Sequence, residues 1–147
     1  MVSTYHSLYF HWICATKERR PFIQPPWRAA FHQYLGGTVR GLGGTALQVG
    51  GVEDHVHLLL ALKTTHCLSD FSRELKKASS IWAADHHRRD FAWQDGYAVF
   101  SVSKNVVVAV NDYIAGQEDH HRKRGFIDEL QLTLHQHGLE WDTRSLP

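Results

Sequence analysis

His55-Val56-His57 is the point in the chain where side chains capable of chemistry stand at a useful spacing. Side chains alternate between faces along a strand, so both imidazoles would point one way and Val56 the other. Two positions along a strand are separated by roughly 7 Å, and imidazoles can converge from there on one cation at about 2.0–2.2 Å. Leu58, Leu60 and Leu62 continue the Val56 side as an apolar stripe. The same alternation also fits a half-exposed strand with two solvated histidines, and the spacing alone does not separate the two. Tyr113 and Gln117 are four residues apart and share a face of any helix there, with His120 and His121 one turn further on. Taken alone, the pair is better accounted for by Tyr113 packed in a core and Gln117 in solvent.

Basic residues fall in short clusters: Lys17, Arg19 and Arg20; Arg73, Lys76 and Lys77; Arg88 and Arg89; Arg122, Lys123 and Arg124. Lys17, Arg20, Lys76, Lys77, Arg122 and Lys123 are the candidates for contacts with a nucleic-acid backbone. Trp82, Phe91, Trp93 and Tyr97 are candidates for stacking on unpaired bases. Each cluster can also be an ordinary solvated face.

The elements that must position these groups follow from periodicity. β-branched and aromatic residues over 7–15 predict a strand. Pro25-Pro26 suits a helix start, and Phe31, Leu35 and Val39 carry that helix over 27–42, stopped by Gly41, Gly43 and Gly44. Two apolar runs, 46–52 and 55–62, joined by Glu53-Asp54, predict a hairpin. A helix over 69–84 and a strand over 99–102 follow. One helix is expected over 104–121, although Val106-Val107-Val108 prefers strand. Gly116 within it permits either a close backbone approach or a hinge. A last helix covers 126–137, with Gly138 as its stop. This order is that of an α+β, ferredoxin-like (RRM-like) antiparallel sheet with helices on one face and an added C-terminal helix bearing Tyr113.

With 147 residues the chain fits one domain, 1–147. A formal net charge of +1 does not by itself announce a nucleic-acid partner, so any such site must come from local clusters. The two cysteines, Cys14 and Cys67, form no CxxC pair, which argues against a zinc finger. The N-terminal residues lack a signal-peptide pattern, and no run of about 18 apolar residues predicts a membrane span. A cytoplasmic location is the expectation.

Several strings then meet a known pattern. Asp54-His55-Val56-His57-Leu58-Leu59 resembles the HUH motif of single-tyrosine transposases, the enzymes of peel-and-paste insertion sequences and REP-associated elements. Thr16-Lys17-Glu18-Arg19-Arg20 is similar to that family's early Thr-Lys-x-Arg segment, and Leu75-Lys76-Lys77-Ala78-Ser79-Ser80 to its Leu-Lys-x-x-Ser-Ser helix. Phe91-Ala92-Trp93-Gln94-Asp95-Gly96-Tyr97 with Phe100-Ser101-Val102-Ser103, and Tyr113-Ile114 with Gln117, His120 and His121, resemble two further family stretches. Gly116 stands where the family often has asparagine, and the ending Ser145-Leu146-Pro147 lacks the family's aromatic residue.

The resemblance implies roles. Tyr113 corresponds to the nucleophile, and His55, His57 and Gln117 to the ligands of a divalent metal, Mg2+ or Mn2+. It implies single-stranded DNA with hairpins as substrate, a 5′-phosphotyrosine intermediate, and a homodimer whose partner completes each site in some members. His120 or His121 is a candidate for the base that takes the phenol proton. Two other classes keep the same residues: a metal phosphoesterase using water, and a non-mobile DNA-binding protein without cleavage.

Overall fold

The apolar stripe running from Val56 is half of one sheet face, and the rest comes from the first strand. In the computed structural model, which describes residues 3–123 and 125–140, strands β1 (Tyr9–Ala15), β2 (Thr45–Val52), β3 (His55–Ala61) and β4 (Ala98–Val102) pair antiparallel in the order β2-β3-β1-β4. Helix α1 (Pro25–Gly41) links β1 to β2, and α2 (Leu68–His86) links β3 to β4. This is the ferredoxin-like arrangement that the element order predicts. The Glu53-Asp54 turn closes the β2–β3 hairpin as expected.

Trp12, Cys14, Val56, Leu58 and Leu60 point to one side and are buried under Phe31, Leu35 and Val39 of α1 and Phe71 and Leu75 of α2. Two serines of α2 satisfy the indoles placed there. Trp12 Nε1 donates to Ser72 Oγ at 3.0 Å and Trp93 Nε1 to Ser79 Oγ at 2.9 Å. Buried indole N–H groups need such partners. Phe91 and Trp93, expected as stacking surfaces, are therefore core residues. Trp82 is half-buried and stacks on Tyr34 at 4.8 Å. Of the four aromatics Tyr97 stays exposed, against Trp12 at 6.0 Å.

The other sheet face carries His11, Ile13, His55, His57, Leu59 and Phe100, paired across the strands as Ile13↔His57, His11↔Leu59 and His11↔Phe100. It does not face water. Helix α3 (Val107–Ala115) covers Leu59 and Val102 through Val107 and Ile114, and α5 (Phe126–Gln136) covers Ile13 and Phe100 through Phe126. The single helix expected over 104–121 is three pieces: a 3-10 turn Lys104–Val106, then α3, then α4 (Gln117–Lys123). Gly116, at φ −95° and ψ 21°, marks the second break. Helix α5 ends as anticipated: Gly138 adopts φ +71° and the Leu139 N–H returns to the Leu134 carbonyl at 2.9 Å.

The close approach expected at Gly116 occurs at another glycine. A Cβ on Gly116 would meet the Asp112 carbonyl oxygen at 3.4 Å, which is ordinary contact. A Cβ on Gly50 of β2 would overlap the carbonyl oxygen of Ile114. The missing side chain at Gly50 thus sets how near α3, and with it Tyr113, sits to the sheet. Gly50→Ala is expected to lower stability by about 1–3 kcal/mol through this overlap, read by urea denaturation. A variant as stable as the parent would mean that α3 does not rest on β2.

Candidate active site

β3 opens with its two histidines on the α3–α5 side, and both are fully buried, with 0% and 1% exposure. His55 Nδ1 lies 2.8 Å from Asp54 Oδ1. His57 Nδ1 lies 2.7 Å from Nε2 of His11 on β1. With each Nδ1 as donor, both rings present the Nε2 lone pair to the space under α4. Such bonds fix the tautomer and orientation that a metal ligand needs. Burial, reinforced by His57, pushes the His11 imidazole down to about 3. Burial likewise pushes His57 down to about 4, against the pull of Glu129. Both rings are neutral at pH 7, the state in which imidazole binds metal.

α4 brings two groups into that space. Gln117 is buried, and its Oε1 is 3.3 Å from His55 Nε2 and 3.1 Å from His121 Nε2. α5 brings Glu129, which is 5% exposed. One of its oxygens is 2.9 Å from His57 Nε2 and the other 2.5 Å from His121 Nε2. Burial would raise the Glu129 carboxyl; the side chains of His121, His57 and Tyr113 outweigh it and hold the group far below the usual carboxylate range. Ligand atoms of His55, His57, His121 and Glu129 all lie within 4.8 Å of one another.

Although all these contacts are short, those of His57 and His121 with Glu129 form no hydrogen bond. His57 Nε2 and both Glu129 oxygens are buried without a well-directed hydrogen-bond partner among the described residues. Native interiors rarely leave such groups orphaned. Nitrogen and oxygen donors converging on one dry volume fit a divalent cation.

Tyr113 reaches the same cluster from α3. Its ring centre lies 5.8 Å from that of His57, 6.1 Å from His11 and 4.7 Å from His120. One chain thus brings Tyr113, His55, His57 and Gln117 onto one sheet face. The fully solvated account of the two histidines is excluded by their burial.

The cationic candidates are dispersed. Lys17 and Arg20 are exposed around the turn after β1, where Arg20 pairs with Glu18 at 3.1 Å. Lys76 is occupied: its Nζ donates to the carbonyls of Gln94 at 2.7 Å and Gly96 at 3.0 Å, tying down the segment before β4. Lys77 is exposed on α2. Arg122 and Lys123 end α4, and their side chains lie outside the described residues, as does Arg124.

Sequence reasoning missed His11 and Glu129. A signal for each was present. His11 alternates with Trp12 on β1 and so had to face the His57 side. Glu129 lies three residues after Phe126 and one before Leu130, on the apolar stripe of α5, where a carboxylate is out of place.

The buried histidines make acid stability a sharp test. Three imidazoles are held below the ordinary 6.5: His11 at about 3, His57 at about 4 and His32 at about 4, each chiefly by burial. Below pH 6.5 the unfolded chain takes up protons that the folded chain refuses. Stability is thus full above 6.5 and falls as pH drops, by up to about 1.4 kcal/mol per pH unit for each group. Metal-free protein should melt at a clearly lower temperature at pH 5 than at pH 7.5. Equal melting temperatures would mean that these rings are accessible to protons.

A ferredoxin-like sheet presenting two buried histidines to a tyrosine-bearing helix defines the class of protein. The chain belongs to the IS200-like transposase family, whose model matches residues 4–117. Among solved structures, the chain is similar to a candidate transposase from Deinococcus radiodurans R1, with 24% identity, a TM-score of 0.66, and coverage of 80% of this chain and 95% of that one. It is also similar to a REP-associated tyrosine transposase bound to a REP hairpin, with 16% identity, a TM-score of 0.60, and coverage of 85% and 76%. At these identities the two structures speak for the fold. No curated protein matches the sequence. Among the described residues no helix is long and apolar enough to cross a membrane.

Proposed function

We propose that this transposase cuts and rejoins single-stranded DNA by transesterification, with Tyr113 as nucleophile. The observation that carries the reading is the meeting of Tyr113 with His55, His57 and Gln117 on one sheet face of one chain. A divalent metal, Mg2+ or Mn2+, held by these two histidines and Gln117, would supply positive charge to the anionic phosphodiester. The Tyr113 oxygen attacks phosphorus, a 5′-phosphotyrosine bond forms, and the strand on the other side leaves with a free 3′-OH. The phosphodiester energy stays in the new bond, so a 3′-OH can reverse the step without ATP. Glu129, held so low, is a poor base for a phenol with pKa near 10. Of the two histidines expected as base, His121 is engaged with Gln117 and Glu129. We assign the proton to His120, beside the Tyr113 ring.

Hairpin DNA is the proposed substrate, supported by the REP hairpin bound to the similar REP-associated transposase. The test is incubation with labelled single-stranded hairpin DNA and Mn2+, followed by a denaturing gel. A covalent adduct is expected. Cleavage without adduct would favour a water-using phosphoesterase, and binding without cleavage a silent DNA-binding protein.

We further propose a homodimer, because rejoining two ends needs two nucleophiles held together. Since one chain gathers a whole site, mixing His57→Ala with Tyr113→Phe protein under subunit exchange should not restore cleavage. Recovered adduct would mean that the tyrosine helix is exchanged between subunits.

A further inference from the structure

Glu129 is hard to account for as a structural residue. It sits on the apolar stripe of α5 between Phe126, packed on Ile13 and Phe100, and Leu130, half-buried beside them. A buried anion is costly unless a cation offsets it. The described side chains around it are His57, His121 and Tyr113, none with a fixed positive charge. Its oxygens lack well-directed hydrogen bonds, as does the facing His57 nitrogen. The donor separations have another meaning. Around an ion at about 2.1 Å, neighbouring donors lie about 3.0–3.4 Å apart. The contacts of His57 and His121 with Glu129, and of His55 and His121 with Gln117, run from 2.5 to 3.3 Å. A cation seated between them needs only small outward shifts.

We propose that Glu129 is itself a metal ligand and His121 a third imidazole ligand, extending the His55, His57 and Gln117 set with a carboxylate carried by α5. The inference rests on the metal-centred reading above. Both residues lie beyond 4–117, the segment that the family model matches; His121 belongs to the stretch that resembles the family's tyrosine helix, and Glu129 is carried by the helix after it. Two consequences follow. Three imidazoles and a carboxylate suit Mn2+ and later transition ions, whereas Mg2+ prefers oxygen ligands and retains several waters. Binding the ion also ties α5 to β3, so metal and helix docking are linked.

The experiment uses the full chain without DNA, titrated with MnCl2 and separately with MgCl2 by calorimetry. Wild-type protein should bind Mn2+ at least tenfold more tightly than Mg2+. Glu129→Gln, which keeps shape and polarity and removes the charge, should lose about 10–100-fold in Mn2+ affinity and most of that preference. Added Mn2+ should slow amide exchange in 126–136 of the wild type and leave Glu129→Gln unchanged. A structural partnership with His121 alone makes the opposite forecast: unaltered Mn2+ affinity in the variant. That result, or equal affinity for the two ions in wild type, would overturn the assignment. Because no DNA is present, failure here leaves the Tyr113 adduct assay as an independent measure of the transposase chemistry.

Discussion

Tyr113→Phe is expected to fold, bind hairpin DNA as the parent does, and form no covalent adduct. The phenol oxygen is the one atom removed. The ring, half-buried against His57, His11 and His120, stays to fill the same space, so the melting temperature should change little. The hydroxyl does help to hold Glu129 ionised, but His121 and His57 remain beside that carboxylate. Nucleophile deletions in other enzymes cost about 10⁶ in rate, which puts the adduct below detection on a denaturing gel. The same gel with the wild type gives the reference. Persistent adduct in Tyr113→Phe would move the nucleophile elsewhere. Loss of adduct together with loss of hairpin binding would instead make Tyr113 a DNA contact.

Most of the frame that carries this tyrosine was legible in the sequence, for reasons that differ from one element to another. Val56, Leu58, Leu60 and Leu62 recur at every second position, and that period predicts both the strand and the side on which the histidines stand. Phe31, Leu35 and Val39 give α1 with equal clarity. Two kinds of feature were not legible. The first is the coverage of the histidine face: period 2 gives the same pattern whether water or another layer lies beyond, and here α3–α5 lie there. The second is long-range juxtaposition. Nothing local to Glu129 says that α5 folds back onto β3, and nothing local to Gly50 says that the Ile114 carbonyl will press against it. The single helix expected across Gly116 failed for a nearer cause. Glycine disfavours helix by about 1 kcal/mol relative to alanine, and here the chain departs from helical geometry at that residue.

His55→Ala and His57→Ala should each abolish metal binding and adduct formation together, and the two variants should part company in the absence of metal. Each removes one buried Nε2 donor from a set whose members lie within 4.8 Å of one another. Loss of an outer-shell partner alone typically costs 10–100-fold in metal affinity, so loss of a direct ligand should exceed about a hundredfold. In metal-free protein His57 touches Glu129 and His11 as well. Its removal leaves a buried carboxylate with one imidazole fewer and a void beside His11 and Tyr113, and a loss of about 2–4 kcal/mol is expected. His55 leans on Asp54, whose carboxylate also faces Arg19 at 3.6 Å. Asp54 retains that partner after His55→Ala, so its destabilisation should be the smaller of the two. Paired measurements separate the causes: calorimetric Mn2+ titration, and urea melts in chelator. If metal chemistry drives cleavage, wild-type protein in excess chelator should match both variants, with no adduct at any time point. Undiminished adduct in chelator would remove the metal from the reaction, and the buried histidines would then serve only to hold the sheet, α4 and α5 together.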